Sequence, residues 1–306
     1  MDRDELAEFI GEARDNGPPT LDLSGKGLKY IPRGIGDLTS LTRLDLRANQ
    51  LTELPPEIGN LTSLKELNLA ANQLRKLPPE IGNLTSLVSL ALGHNQVLEV
   101  LAGTSDLNSL LTRPKLGNHL TELPLEIGNL VALEELDLVC NQLTELPPEI
   151  GNLTGLSGLY MGHHHLKVLP SEIGNLTALN WLDLSGNQLT ALPLEIGNLS
   201  SLSSLGLDGN QLTALPVEIG NLTGLKHLFL NDNLMATLPA AIGRLVELTY
   251  LGISNNRLTR IPESIEQLTQ LEELDLSNNL LTVLPPVVAE LIDRKVVNLS
   301  GNPLRL

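Results

Sequence analysis

The chain has 306 residues, of which 42% are hydrophobic and only 2% aromatic, and its 36 acidic and 20 basic residues give a formal net charge of −16. This acidity argues against nucleic acid or an anionic membrane as a partner and favours basic partners. A single cysteine excludes an intrachain disulfide, and no secretory h-region or long apolar run occurs, so we expect a cytoplasmic protein outside the membrane.

The N-terminal segment 1–17 has the pattern of an amphipathic helix. Leu6, Phe9, Ile10 and Ala13 recur at helical spacing, and Gly17 and Pro18 follow as helix-ending residues. We therefore predict a capping helix over residues 1–17 that covers the apolar end of the structure beginning at residue 18.

From residue 18 onward a single unit recurs, and its fullest copies, at 41–63 and 64–86, follow L-x-x-L-x-L-x-x-N-x-L-T-x-L-P-P-E-I-G-N-L-T-x. Copies begin at every 23rd position from Pro18 to Arg294, which leaves one repeat domain over 18–306. This period and pattern are the signature of a leucine-rich repeat. We predict an α/β solenoid, a leucine-rich repeat horseshoe with a concave parallel β-sheet of about 13 strands and short helical or 3-10 turns on the convex side.

Each unit combines a strand, an inward asparagine and a helical turn. Alternation in L-x-x-L-x-L sends leucines to one face of a strand, and L-P-x-E-I-G-N-L suits a short helical turn that begins at proline. The asparagine eight places after the first leucine is predicted to bond backbone groups inside the stack. Lys26 and His164 replace it in two copies. The predicted structural asparagine ladder consists of Asn49, Asn72, Asn95, Asn141, Asn187, Asn210, Asn233, Asn256, Asn279 and Asn302.

Residues 97–117 depart from the unit although the overall spacing is kept. Leu101 replaces the proline, and Arg113 and Pro114 fall where a strand is expected. Two interpretations are open: compensating one-residue insertions and deletions, which we favour, and a specialised binding loop. Proline within an interior strand predicts local weakness in both cases.

The last repeat is incomplete. It ends at Leu306, and no helix equivalent to the first one is predicted to cover the apolar edge near Val297 and Leu299. We expect a fragment of a longer protein, or an edge covered by a partner, including self-association through this uncapped edge.

The repeat consensus resembles the leucine-rich repeats of bacterial and cyanobacterial Roco proteins and of plant intracellular Ras-group-related repeat proteins. The resemblance covers residues 18–304, and the predicted helix that runs into Leu21-Asp22-Leu23-Ser24-Gly25 is similar to the start of a Roco repeat domain. It implies a cytoplasmic recognition or signalling module that acts through protein contacts. The sequence has no G-x-x-x-x-G-K-[ST] loop, so GTP binding is not implied for this chain.

Strand residues that face away from the core are the candidate binding surface. Early copies place Arg43, Asp45 and Arg47 there, and copies seven to eleven concentrate aromatic and acidic side chains. Exposed aromatics flanked by carboxylates are typical of protein-binding hot spots. The predicted partner-binding patch on the concave face comprises Tyr160, His163, Trp181, Asp183, Asp208, His227, Phe229, Asp232 and Tyr250.

We predict no metal, cofactor or catalytic site. In His163-His164-His165 adjacent strand residues point to opposite faces, so the three rings do not converge on one ion, and Cys140 has no activating neighbour in sequence. No nucleophile, base and orienting carboxylate recur together. The favoured function is non-enzymatic binding of a protein or peptide on the concave face, as a scaffold or recognition module.

Two alternatives are kept. The chain could be the sensing or scaffolding arm of a Roco-type signalling GTPase, detached from its catalytic domains. It could also be an exported recognition or adhesion protein, since N-L-T/S sequons recur, although most belong to the repeated G-N-L-T/S segment.

Overall fold

A computed structural model describes residues 3–93, 118–286, 288 and 296–304. The chain divides into two compact units, Met1–Leu159 and Tyr160–Leu306. Over the described residues the structure confirms the predicted fold class: short parallel strands alternate with 3-10 turns, and one α-helix precedes them.

The helix α1 (Arg3–Asn16) lies against the first repeat of the first unit. Leu6, Ile10 and Ala13 are buried on one side of it, at 0–7% exposure, whereas Phe9, predicted to share this apolar side, is 38% exposed. The helix ends at Gly17, whose φ of 56° is the left-handed conformation that glycine adopts easily, and the Gly17 amide donates to the Ala13 carbonyl at 2.9 Å. The apolar side of α1 thus closes the start of the leucine core.

The described strands form one parallel sheet in chain order, as expected for a solenoid in which each coil contributes one strand. They are β1 (Thr20–Asp22), β2 (Arg43–Asp45), β3 (Glu66–Asn68), β4 (Ser89–Ala91), β5 (Glu135–Asp137), β6 (Gly158–Tyr160), β7 (Trp181–Asp183), β8 (Ser204–Gly206), β9 (His227–Phe229), β10 (Tyr250–Gly252), β11 (Glu273–Asp275) and β12 (Val297–Asn298).

The strands alternate between the core and the opposite face. Leu44 and Leu67 pair across β2 and β3 and are at most 1% exposed, whereas Arg43 and Glu66 pair beside them on the exposed side. The same register continues from copy to copy at the repeat period, so leucines stack on leucines and the outward residues also form rows.

The L-P-x-E-I-G-N-L segments return the chain through short 3-10 turns. In η2, Pro55 is extended, Ile58 and Gly59 are buried, and the Leu61 amide donates to the Ile58 carbonyl. The buried glycine is required by close approach: at Gly36 an added Cβ would lie 2.6 Å from the Glu57 carbonyl oxygen of the next turn. The turns are η1 (Arg33–Asp37), η2 (Pro56–Asn60), η3 (Pro79–Asn83), η4 (Leu125–Asn129), η5 (Pro148–Asn152), η6 (Ser171–Asn175), η7 (Leu194–Asn198), η8 (Val217–Asn221), η9 (Ala240–Arg244) and η10 (Glu263–Gln267).

Buried asparagines connect neighbouring coils. The Asn210 side-chain amide donates to the carbonyls of Leu184 and Leu207, both at 3.0 Å, and its oxygen accepts from the Leu189 amide at 3.0 Å. The same set of backbone partners is bonded by Asn49, Asn72, Asn187, Asn233, Asn256, Asn279 and Asn302. Asn141 likewise donates to the Leu138 carbonyl and accepts from the Leu120 amide. His164, which replaces the asparagine, is 2% exposed.

The strand pairing around the fifth copy differs from the predicted order of one strand for every copy. Strand β4 pairs directly with β5, with Leu90 opposite Leu136, so the described sheet has 12 strands rather than about 13. Asn118 occupies the ladder position of this coil: its amide donates to the Leu92 carbonyl at 2.7 Å, and its oxygen accepts from the Leu74 amide.

A coil can therefore be built from two separated parts of the sequence. Residues 87–93 supply its strand and residues 118–132 its remainder. An ordinary copy has one residue between these two parts, whereas here residues 94–117 separate them, so the separation is longer by 23 residues, one full period. Counting alone could not distinguish this arrangement from an ordinary copy. Asn95, predicted to belong to the ladder, and the irregular stretch 97–117 lie outside the described residues.

No helix within the described part of the chain is long and apolar enough to cross a membrane.

We predict that Asn210→Ala lowers the free energy of unfolding by about 2–4 kcal/mol, because it leaves a buried amide and two buried carbonyls without their partner. Urea denaturation followed by circular dichroism measures the change. The neighbouring exposed residue Gln211 supplies the control variant, Gln211→Ala, which should leave the midpoint within error. Equal midpoints for both variants would show that the ladder does not stabilise the fold.

We also predict that a chain lacking residues 94–116 folds. Its junction would join Gly93 to Gly117 and restore a uniform unit, L-V-S-L-A-L-G-G-N-H-L-T-E-L-P, in the coil that Asn118 already bonds. Far-ultraviolet circular dichroism and melting temperature should match those of the full chain. A loss of cooperative melting would contradict the assignment of Asn118 to this coil.

Candidate functional site on the strand face

The strand face is the side of the sheet opposite the leucine core, formed by residues two, four, six and seven places after the first leucine of each copy. All nine residues predicted for the patch lie on this face within the second unit, between Tyr160 and Tyr250. Asp232 is exposed and the others are half-buried. We use the name aromatic-acidic patch for these nine residues.

Three rings of the patch contact one another. The Phe229 and Tyr250 rings are 4.9 Å apart between centroids and tilted by 35°, and the His227 and Phe229 rings are 6.4 Å apart and nearly parallel. Tyr250 leans over Gly252, where an added Cβ would lie 2.9 Å from the Tyr250 hydroxyl oxygen. The glycine therefore allows the tyrosine ring to lie flat against the strand beside Phe229.

Strand β8 forms a low strip between two walls. Its outward residues are Ser204, which pairs with Trp181 on one side and His227 on the other, and Gly206, which pairs with Asp183 and Phe229. The walls are two strand spacings apart, or about 10 Å. We call this strip the furrow: its floor is Ser204 and Gly206, and its walls are Trp181 with Asp183 and His227 with Phe229.

The furrow floor is closely fitted. Ser204 is 1% exposed, and its hydroxyl has no hydrogen-bond partner among the described residues. An added Cβ at Gly206 would lie 2.8 Å from one Asp183 carboxylate oxygen, so this carboxylate lies directly beside the glycine. The Ser185 hydroxyl oxygen lies 3.1 Å from the same point, so neighbouring side chains already cover Gly206, and any larger side chain there would displace Asp183.

Hydrogen bonds hold the carboxylates of the patch. Asp183 accepts from the Ser185 amide at 3.0 Å, and Asp208 accepts from the Asn231 amide at 2.7 Å. The Asn231 side-chain oxygen in turn accepts from the Ser254 amide and hydroxyl, at 2.8 and 2.9 Å. These bonds fix the carboxylate positions on the sheet.

Burial raises the pKa of Asp208 to about 7. The hydrogen bonds from Asn231 oppose this shift, while the negative charges of Asp183 and Asp232 add to it. Burial together with nearby carboxylates also raises the pKa of the Tyr250 hydroxyl. The patch is therefore a place where a further negative charge is unfavourable and a positive charge is favourable.

The two units differ in the charge pattern of the strand face. In the first unit, Arg43 pairs with Glu66 at 2.9 Å and Arg47 with Asp45 at 3.4 Å. In the second unit, from Tyr160 to Gly301, the face has no lysine or arginine at its outward positions. Its carboxylates are Asp183, Asp208, Asp232, Glu273 and Asp275.

Other features of the described residues bring together fewer charged and aromatic side chains than the patch does. A groove of about 730 Å³ in the first unit is lined mainly by the L-P segments of consecutive coils, including Tyr30, Pro55 and Pro78, and so follows from the repeat itself. Cys140 is half-buried with a φ of 62°. Among the described residues no group of three histidine, cysteine or carboxylate side chains could hold a metal ion.

The large side chains of the patch were predicted from the sequence, whereas the small residues beside them were not. Ser204, Gly206 and Gly252 form the floor on which the aromatic rings and carboxylates lie, and Asn231 holds Asp208 in place. The available signal was the register, because the repeat period places Gly206 between Asp183 and Phe229.

We predict that the free energy of unfolding falls as the pH rises from about 5 to 7, and that Asp208→Asn removes much of this dependence. Because the pKa of Asp208 is raised in the folded chain, folding takes up a proton above about pH 4, and this contribution to stability is lost as the pH approaches 7. The slope is at most about 1.4 kcal/mol per pH unit, so at pH 8 the variant should be more stable by up to about 4 kcal/mol.

Urea denaturation at several pH values measures how the free energy of unfolding depends on pH. Glu135→Gln makes the same charge change at an exposed strand-face position of the first unit and should keep the dependence of the unaltered chain. Parallel curves for Asp208→Asn and the unaltered chain would contradict the raised pKa.

Comparison with known proteins agrees with this architecture. The sequence profile of the family described as "Leucine-rich repeat region" matches residues 20–112, 111–185 and 171–245, and that described as "Leucine Rich repeats (2 copies)" matches residues 246–287. No curated protein matches the chain significantly.

Several solved structures are similar. A leucine-rich repeat protein of Leptospira interrogans is 31% identical, with 97% of this chain and 94% of the other aligned and a TM-score of 0.57. The internalin InlF of Listeria monocytogenes is 22% identical, with 98% and 88% aligned and a TM-score of 0.68. The plant peptide hormone receptor RGFR1, solved in complex with RGF2, is 30% identical, with a TM-score of 0.58; 93% of this chain aligns with 55% of the receptor chain. The profile matches and the 31% identity over nearly the whole length show that this chain belongs to the leucine-rich repeat family.

Proposed function

We propose that the chain is a non-enzymatic protein–protein interaction module that binds a protein or peptide on its strand face, through the aromatic-acidic patch. The observation that carries the proposal is the ring cluster of His227, Phe229 and Tyr250, which lies half-buried on the outward side of the sheet. These rings face away from the leucine core, so the exposed part of their apolar area is available to a partner.

The arrangement has the properties of a binding hot spot. Aromatic side chains give large contact areas at a low cost in side-chain entropy, and here the Tyr250 ring is already fixed against Phe229 and Gly252. The patch lies on strands whose positions are set by the stacked core, so binding requires little reorganisation. A likeness to RGFR1, solved in complex with RGF2, supports a peptide as one kind of partner.

We propose a cytoplasmic, scaffolding or signalling role without catalysis, and as a second candidate the sensing arm of a Roco-type protein. The second is favoured by the helix α1 leading into the first repeat, together with the repeat consensus itself. The genomic sequence that follows the codon for Leu306 tests it: a GTPase reading frame in the same gene supports the arm, and a stop codon removes it.

We predict that the double variant Trp181→Ala with Tyr250→Ala loses binding. A library of random linear peptides displayed on phage is selected against the immobilised chain, and the recovered peptides are measured by fluorescence polarisation. We expect the affinity to fall by about 100-fold, since two aromatic hot-spot residues are removed. The circular dichroism spectrum should not change, because both side chains point away from the core.

Phe9→Ala is the matched control, because Phe9 is an exposed aromatic on α1, outside the strand face. It should bind the recovered peptides as the unaltered chain does. Recovered peptides that bind the double variant with unchanged affinity would place binding elsewhere, and failure to recover any peptide would remove linear peptides as ligands.

A further inference from the structure

We propose that a second molecule of this chain binds to the proline side of the coils in the second unit. The proline side consists of positions 12, 13, 16 and 17 of each coil, counted from its first leucine. In the coil that begins at Leu179 these positions are Thr190, Ala191, Leu194 and Glu195. The proposed contact surface covers the proline side within residues 167–264, so it belongs to the second unit and is separate from the strand face.

Residues of the proline side share one surface. In the first unit, Glu53 and Pro56 of one coil line the same groove as Lys76 and Pro79 of the next coil. Within residues 167–264 every residue at positions 12, 13, 16 and 17 is exposed or half-buried. Positions 13 and 16 therefore form two outward rows along the stack, on either side of the Leu-Pro or Ile-Pro pairs at positions 14 and 15.

The two rows carry apolar side chains in the second unit. Val168, Leu194 and Val217 are 62%, 59% and 63% exposed, and Ala191 and Ala214 are exposed beside them. Position 13 of the first unit is instead often acidic, as at Glu53, Glu122 and Glu145. Exposed aliphatic side chains that are grouped on consecutive coils indicate a surface that another protein covers.

A two-fold arrangement places large side chains opposite small ones. A two-fold axis that runs along the stack keeps the order of the coils and exchanges the two rows, so that position 13 of one molecule faces position 16 of the same coil in the other. The facing pairs are then Leu194 with Ala191, Val217 with Ala214, and Val168 with Ser171. Each exposed aliphatic side chain thus meets a position where a small residue leaves room for it.

The same axis brings opposite charges together at both ends of the surface. Position 12 faces position 17, so Lys167 faces Glu172 of the second molecule at one end, and Arg260 faces Glu263 at the other. None of these four residues forms a salt bridge within the described part of the chain, so both pairs are available to a second molecule.

Coils of the first unit lack this complementarity. Three of them carry two glutamates in the same segment, which the two-fold arrangement would bring close to one another: Glu53 with Glu57, Glu122 with Glu126, and Glu145 with Glu149. Like charges at these positions oppose association. The second unit therefore favours a second molecule of the chain where the first unit disfavours it.

The size of the surface predicts a weak contact. Five coils and six residue positions cover about 24 Å by 16 Å, or roughly 400 Å² on each molecule. A standard interface buries about 800 Å² on each partner. We therefore expect reversible association with a dissociation constant on the order of 100 µM.

Sedimentation velocity of the full chain tests the association. Between about 5 and 500 µM the weight-average mass should rise from that of one molecule towards that of two. Leu194→Glu places a charge in the apolar centre and should lower the association constant by at least about 10-fold. Leu125→Glu is the matched control, because Leu125 occupies position 16 in the first unit and is 58% exposed. It should associate as the unaltered chain does.

Reversal of one ion pair tests the proposed register. Arg260→Glu and Glu263→Arg should each weaken association by about 3-fold to 10-fold, because like charges then face each other. The double variant with both changes restores opposite charges and should recover the association of the unaltered chain. Both residues are exposed, and circular dichroism confirms that each variant is folded.

A constant mass of one molecule at all concentrations overturns the inference. Association that Leu194→Glu leaves unchanged, or that Leu125→Glu weakens equally, places the contact elsewhere and also overturns it. A double charge variant as weak as the two single variants removes the proposed two-fold register. The proposed function is judged separately, because the Trp181→Ala and Tyr250→Ala double variant should lose peptide binding and still self-associate.

Discussion

The buried asparagine of each coil is the interaction on which the rest of the structure depends. Through one side chain, Asn210 bonds the Leu207 carbonyl of its own coil and the backbone of the preceding coil at Leu184 and Leu189. A short strand and a 3-10 turn leave several peptide groups of each coil unpaired inside the stack, where they would be costly. One amide with two donors and an acceptor satisfies three of them and fixes the offset between coils.

This constraint separates the roles of the two faces. Leucine, isoleucine and asparagine at the inward positions are set by packing and hydrogen bonding, and the close approach of coils restricts positions such as Gly36 to glycine. Outward strand residues contact other residues of the same face, as Phe229 contacts Tyr250 and Asp183 accepts from the Ser185 amide. They can therefore vary between copies without disturbing the core, and the difference between the arginine-paired face of the first unit and the acidic face of the second is such a variation.

The constant repeat period made most of the fold predictable, because strand, asparagine and turn recur with it. The period did not predict that β4 pairs with β5, because a segment as long as one full period leaves the later copies in phase with the earlier ones. Pro114 in a strand position and the Gly-Asn-His-Leu at 117–120 were the available signals. The large residues of the patch were predictable from alternation, whereas the raised pKa of Asp208 required three-dimensional burial and the contact with Asn231.

The strand face around β8 shows how a periodic fold can vary locally. Small residues on β8 lie beside large residues in the same rows on β7 and β9, so this surface is a property of three consecutive copies and of none alone. The stacked core holds these copies in a fixed register, and Asp208 is held by Asn231 from the next coil. A partially buried carboxylate of this kind costs free energy in the unbound protein. Since the leucine core and the asparagine bonds stabilise the coils independently of the strand face, the fold can retain this unfavourable charge.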